Sequence, residues 1–299
     1  MLRFRPLTIE DQNIVLSFLK GQKFATYEYS FLTLYFWKDY CNVEYAICDD
    51  SLIIKKTEEG KGSYFMQPIG TTPEKLPGII EQLLDFQRER PSFLSLFRDI
   101  EEPFLTQLQA LYSSHLAFSE DINNFDYIYE TDKLVNLHGD KLHKRKSQVN
   151  QFIRRYNYVI KDIHDDAVMN DSLELAHRWF DIQRLKYREI FFELEGIQNI
   201  FRHLDALPVR GIAVYVDDQI AGFTLGEKAN NQMGIIHVEK GDVRYKGIYP
   251  FINKTFAETH MHDIPYINRE EDLGISGLRK AKLAYDPLKL EKKYIVNIV

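Results

Sequence analysis

Hydrophobic and polar positions divide the 299-residue chain into alternating helical and strand-like runs. Leu2–Phe4 reads as a short strand. Pro6 and Thr8 then open a helix in which Ile14, Val15, Phe18 and Leu19 recur at helical spacing. Tyr27–Trp37 is apolar nearly all round, the pattern of a buried helix. Three strand-like runs follow at Val43–Cys48, Leu52–Lys55 and Tyr64–Met66, with turns at Asp49-Asp50 and Gly60–Gly62 between them. A helix around Pro73–Glu89, a strand Phe93–Phe97, a helix near Pro103–Tyr112 and a strand Asp126–Tyr129 come next.

The second half has the same grammar. A helix runs from about Lys141 to Tyr156, capped by Asp140 after Gly139. A strand Tyr158–Ile163 is followed by a helix Ser172–Glu189, with Leu175, Trp179, Ile182 and Leu185 on one face, and by a helix Leu194–Leu204. Strands Gly211–Val216, Ile220–Glu227 and Gln232–Glu239 form a meander. A loop Gly241–Tyr249 leads into a helix starting at Pro250, a residue suited to a first helical turn. A strand Tyr266–Asp272, a helix Gly277–Tyr285 and a strand Lys293–Ile298 close the chain. The order predicts an α/β fold with mixed sheets, built as two tandem halves, 1–130 and 131–299. The repetition is one of elements, since the letters themselves show no residue-level repeat.

Composition changes this picture little: 44% hydrophobic and 27% charged residues are ordinary for a globular chain. Charge adds more. The net charge of −6 argues against non-specific coating of nucleic acid. Residues 1–130 carry 12 basic and 20 acidic side chains, the remainder 26 and 24, so an anionic ligand is expected at the second half. Charged residues near the N-terminus replace a secretory apolar core, and the apolar run Tyr29–Trp37 is too short to span a bilayer. The expectation is a cytoplasmic protein with no integral membrane segment. Cys41 and Cys48 flank a strand that holds them roughly 20 Å apart, so reduced thiols are expected.

The richest candidate chemistry lies in Glu239-Lys-Gly-Asp-Val-Arg-Tyr-Lys-Gly-Ile-Tyr-Pro250, where a strand passes through a glycine-containing loop into a helix. Amides at a helix start favour an anion, and Arg244 and Lys246 add charge beside Gly247 and Ile248. An ordinary connection with solvated charges would have the same letters. The strand Tyr266–Asp272 turns polar after Ile267, and alternation puts Asn268, Glu270 and Asp272 opposite Arg269 and Glu271. Such a strand end either lines a wet cleft or meets cations such as Arg279 and Lys280. Lys141, Lys144, Arg145 and Lys146 open a basic helix that is either a phosphate-contacting surface, RNA included, or a solvated face. His237 and Glu239 share a strand face, and either could serve as a general base. Histidines and cysteines lack metal-site spacing, so no metal is expected. Neither a nucleophile elbow, a Walker loop nor a dinucleotide fingerprint is present.

Arg244-x-x-Gly247 resembles the pyrophosphate-binding loop of the GNAT superfamily of acyl-coenzyme A N-acyltransferases, although Tyr249 stands where a small residue is usual and Pro250 lacks an amide. Ala281-Lys-Leu-Ala-Tyr285 is similar to a stretch whose tyrosine, in some members, protonates the leaving thiolate. Leu137–Arg155, Glu239–Phe256 and Asn268–Tyr285 together resemble the C-terminal domain of phosphatidylglycerol lysyltransferases. That resemblance implies two GNAT-like halves and, as in Fem-type enzymes, an aminoacyl group taken from tRNA. It implies Glu239 as base and Tyr285 as acid, with Arg244, Lys246, Gly247 and Ile248 on the donor phosphates. The lysyltransferases proper carry an integral membrane domain, so the acceptor, lipid or small molecule, stays open. Acetyl transfer from coenzyme A, or a binding protein that kept the fold and lost catalysis, are the alternatives.

Overall fold

The computed structural model describes residues 2–183 and 189–298. In chain order the elements are β1 (Arg5–Pro6), α1 (Gln12–Leu19), α2 (Phe31–Phe36), β2 (Glu44–Cys48), β3 (Ser51–Glu58), β4 (Gly62–Phe65), α3 (Leu76–Arg88), β5 (Phe93–Ile100), α4 (Glu102–Tyr112) and β6 (Leu116–Glu120). There follow β7 (Asp126–Glu130), α5 (Thr131–Asn136), α6 (His143–Arg155), β8 (Tyr158–Asp162), α7 (Asp166–Gln183), α8 (Glu189–Arg202), β9 (Arg210–Val216) and β10 (Gln219–Lys228). The last are β11 (Met233–Gly241), α9 (Ile248–His260), β12 (Tyr266–Asn268), α10 (Ser276–Leu283), β13 (Lys289–Glu291) and β14 (Tyr294–Ile298). Leu185, expected on the helix Ser172–Glu189, lies outside the described residues.

One sheet has the order β1-β2-β3-β4-β5-β14-β6 and the other, read in the same direction, β8-β9-β10-β11-β12-β7-β13. Position for position the two orders are the same. Each is a meander joined in parallel to a fifth strand, with a strand from the other half of the sequence inserted sixth. The chain accordingly divides into Met1–Phe125 with Lys292–Val299, and Asp126–Glu291. This differs from a cut at 130/131. The strand Asp126–Tyr129 joins the second sheet, and the last strand returns to the first. Both cysteines are free and buried.

The first unit packs Ile79, Ile80 and Leu83 of α3 and Phe104 of α4 against Phe65 and Phe97. In the second unit α6 and α9 cover the sheet, and Phe152 stacks on Phe251 with ring centres 4.4 Å apart. Burial of such a ring stabilises the fold by about 1.5–3 kcal/mol.

Two irregularities shape the second unit. Between Leu225↔Val238 and Gly226↔Ile236 the β10–β11 register shifts, leaving His237 as an unpaired extra residue. Such a bulge bends its strand and increases the twist. The β11–β12 ladder ends one rung earlier, at Ile235↔Asn268, while β11 continues to Gly241. Gly226 permits this corner, because a Cβ there would lie 2.4 Å from the Ile235 carbonyl oxygen. The second irregularity shortens β12 to three residues, against the seven expected. Asn268 Oδ1 accepts the Glu270 amide at 2.7 Å, and Glu270 has φ +59°, so extended alternation stops at Asn268. Among the described residues β11 has no partner strand on that side from Ile236 onward, so the sheet is unpaired there.

Candidate functional site

Glu239 lies two residues beyond the bulge, on the part of β11 that outruns β12. Its Oε1 accepts from Asn253 Nδ2 at 3.1 Å, and its Oε2 pairs with Arg269 Nη2. Both partners of the ion pair are 13% exposed. The Arg269 guanidinium lies 4.6 Å from the Tyr285 ring centre and 5.6 Å from that of Tyr129. A second guanidinium, Arg145 on α6, lies 4.9 Å from the Tyr285 ring. Burial works against the Arg269 charge, but Glu239 and the two tyrosines hold it firmly protonated. Burial also pushes the Tyr285 hydroxyl up to about 12, against the pull of Arg269. Tyr285 is therefore a neutral phenol at neutral pH, with a proton to give. It belongs to the unit's buried core, and the two arginines make its surroundings polar.

Beside this pair runs a second charged line. His237 Nδ1 lies 2.9 Å from Glu270 Oε1, and Nε2 lies 3.1 Å from Glu227 Oε1. Burial would lower the imidazole pKa, but the two carboxylates outweigh it and bring it to about 9. The two carboxylates favour the imidazolium at neutral pH, a form with no lone pair for a proton, which speaks against His237 as the base. Lys282 donates to the carbonyls of Arg269, Glu270 (3.0 Å) and Glu271 (2.7 Å), and so fixes the chain that follows β12. Burial lowers its pKa to about 8, although Glu270 pulls the other way.

The remaining expected site residues divide sharply. Asn268 is fully buried and ties Asp126 to the Glu270 amide. Glu271 offers its carbonyl to Lys282. Arg279 does meet the strand-end acid, clasping Asp272 at 2.7 and 2.8 Å, with Tyr127 on the same carboxylate at 2.5 Å. Lys280 stays exposed.

The expected phosphate cradle is largely closed. Arg244 folds back onto Asp242 in its own loop, with contacts of 2.8 and 3.0 Å. The Ile248 amide donates to Tyr245 O at 3.1 Å, and the Lys246 amide to the Tyr156 hydroxyl at 3.2 Å. Gly247, at φ +92°, caps α9, and a Cβ there would lie 2.5 Å from the Gln148 carbonyl oxygen. Helix α9 starts at Ile248, so Pro250 sits third, where a missing amide costs no helical bond.

On the basic helix, Lys141 is committed to Asp286 at 2.8 Å and Arg145 to Gln148 and Tyr285. Lys144 and Lys146 are exposed, with no ion-pair partner among the described residues. Sequence reasoning missed Arg269, Glu270, Glu227, Asn253 and Lys282 as site residues. The first two stood in the polar stretch after Ile267, so a signal existed. Asn253 lay inside the helix after the glycine loop, where nothing in the letters marked it.

The family described as phosphatidylglycerol lysyltransferase, C-terminal, matches residues 21–297, and the chain belongs to it. A crystal structure of a conserved protein of unknown function from Bacteroides thetaiotaomicron VPI-5482 is similar over all of both chains, with 28% identity and a TM-score of 0.92. The C-terminal domain of a putative lysylphosphatidylglycerol synthetase from Agrobacterium fabrum is 12% identical with a TM-score of 0.68, covering 96% of this chain and 90% of that one. A tandem GNAT protein from the clavulanic acid biosynthesis pathway is 10% identical with a TM-score of 0.50, covering 99% and 97%. The fold is mixed α/β, two GNAT-like units in tandem. Among the described residues no helix is long and apolar enough to cross a membrane.

Proposed function

We propose that the chain is an acyl- or aminoacyl-transferase that uses the opening between β11 and β12 to move the acyl group of an aminoacyl-tRNA onto an amine or hydroxyl. The observation that carries this reading is the joining of Glu239 and Tyr285 through Arg269, in one buried polar cluster. The acceptor loses its proton to the Glu239 carboxylate as its lone pair attacks the acyl carbon. The bond to the leaving ribose oxygen then breaks, and the Tyr285 hydroxyl supplies the proton that oxygen takes. The nearby Arg269 charge favours the tyrosinate left behind, until solvent returns the proton.

Donor choice follows from what is free and what is spent. The Ile248 and Lys246 amides and the Arg244 side chain already have partners, which leaves little to hold a coenzyme A pyrophosphate. Lys144 and Lys146 remain available to an RNA backbone. The test is purified protein with tRNA charged with labelled amino acids, plus a small-molecule extract or lipid vesicles as acceptor source. Label should leave the tRNA ester faster than it does spontaneously and appear in a new product. Tight coenzyme A binding by calorimetry with no effect on aminoacyl-tRNA would favour acetyl transfer. If neither donor responds, the chain is a binding module.

A further inference from the structure

We propose that Arg269 is itself a catalytic residue, whose unpaired N–H groups take the oxygen of the acyl carbonyl and hold the negative charge that grows there as the acceptor attacks. This rests on the acyl-transfer reading above and assigns that reading an oxyanion site. Nη2 of Arg269 goes to Glu239, while Nε and Nη1 are buried with no aligned hydrogen-bond partner among the described residues, although the Tyr285 hydroxyl lies close enough to feel the guanidinium. Leaving a buried donor unmade costs about 1–3 kcal/mol, more for a charged group. The guanidinium can keep Glu239 on one nitrogen and still offer N–H groups on the other two. In the step, the acceptor–carbon bond forms while the carbonyl π pair moves onto oxygen beside Arg269. The pair then returns, C=O re-forms, and the ribose oxygen leaves with the Tyr285 proton.

The first unit supplies an internal comparison. There Phe97 is the last residue of the parallel β4–β5 ladder, as Asn268 is for β11–β12. An arginine follows each, Arg98 and Arg269, and then an acid in left-handed backbone, Asp99 at φ +56° and Glu270 at φ +59°. Arg98 also lies near a tyrosine ring, 5.6 Å from that of Tyr64, and its Nε is also buried without a partner. What the first unit lacks is the opening, because β4 ends at Phe65, on the last rung, whereas β11 runs on past Ile235 to Glu239. The arginine–acid corner is thus a repeated feature of the fold, and only the second copy faces a carboxylate on a continued strand.

Two measurements on the intact protein test this. The first follows arginine side-chain Nε–H signals by ¹⁵N NMR while methylphosphonate, a tetrahedral anion, is added. The Arg269 signal, identified by its loss in Arg269→Lys, should move saturably, and the Arg98 signal should stay. The second is kinetic. Arg269→Lys keeps a cation opposite Glu239 but replaces the rigid N–H fork with a compact ammonium that cannot hold Glu239 and aim at the acyl oxygen in the same geometry, so kcat should fall about 10²-fold or more with KM little changed. Arg98→Lys should leave transfer unchanged. An unmoved Arg269 signal, an undiminished kcat in Arg269→Lys, or equal losses in both variants would overturn the proposal. A wild type that never deacylates tRNA, yet shows the saturable Arg269 shift, would remove the transfer reading and keep the anion site.

Discussion

Between pH 6 and 8 the second unit should lose about 2 kcal/mol of stability, and His237 should be the cause. Buried between Glu227 and Glu270, its imidazole has its pKa raised from 6.5 to about 9. A group whose folded pKa is raised adds stability that is fully present below its unfolded pKa and is lost as pH rises through the folded value. A tenfold gain in proton affinity is worth about 1.4 kcal/mol, so the full contribution is on the order of 3 kcal/mol, of which about 2 is gone by pH 8. Lys282 then acts in the opposite sense. Its pKa falls from 10.5 to about 8, so the folded state sheds that proton first and stability recovers between those values. The assay is urea unfolding in a Trp37→Phe background, where Trp179 reports the second unit alone. With a denaturant slope of about 1–3 kcal/mol/M, the midpoint should drop by roughly 1 M between pH 6 and 8. His237→Gln should start lower and show a flat profile across that window. If that variant keeps the wild-type slope, His237 is not the protonated centre of this cluster.

Three further outcomes follow from the same structure. Tyr285→Phe and Glu239→Gln should each cut turnover about 10²-fold or more while circular dichroism stays unchanged, because each removes one proton carrier and little volume. Exchanging Lys144 and Lys146 for Glu should weaken tRNA retention on a filter and lower its salt dependence without shifting the unfolding midpoint, whereas Arg145→Glu should also disturb Tyr285. Gly226→Ala should destabilise by about 1–3 kcal/mol in urea, since its methyl meets a backbone oxygen that cannot step aside.

The elements carried by strong periodicity were legible in the letters: the meander β9–β11, the buried α2 and the helix after the glycine loop. What periodicity could not show is where a strand ceases to be one. Tyr266–Asp272 alternates plausibly for seven residues, but a side-chain bond from Asn268 and a left-handed Glu270 end the strand after three. The β11 bulge was invisible for a related reason, as it depends on β10 and not on any residue near His237. Glu239 was found from its strand face and Tyr285 through resemblance, whereas Arg269 was read as one charge in a polar run. Its importance comes from two tyrosine rings and a carboxylate brought from elsewhere in the chain.

The repeat was also half hidden, and the reason is the strand exchange. Each sheet takes its sixth strand from the far end of the other half, so cutting the chain at the apparent midpoint separates strands from their sheets. Once β14 is counted with the first unit and β7 with the second, the fifth strands align, and Arg98-Asp99 falls on Arg269-Glu270. An arginine is followed by an acid four times in the 299 residues, so two such pairs carry no signal by themselves. Just past matched ends of the two parallel ladders, with the same unusual backbone sign, they are a shared structural feature, although β5 continues to Ile100 beside β14 and β12 stops at Asn268. The second unit alone adds a strand that outruns that ladder. The one added reach, from Ile235 to Glu239, separates a corner that only ends a parallel ladder from one whose arginine meets a carboxylate on the neighbouring strand.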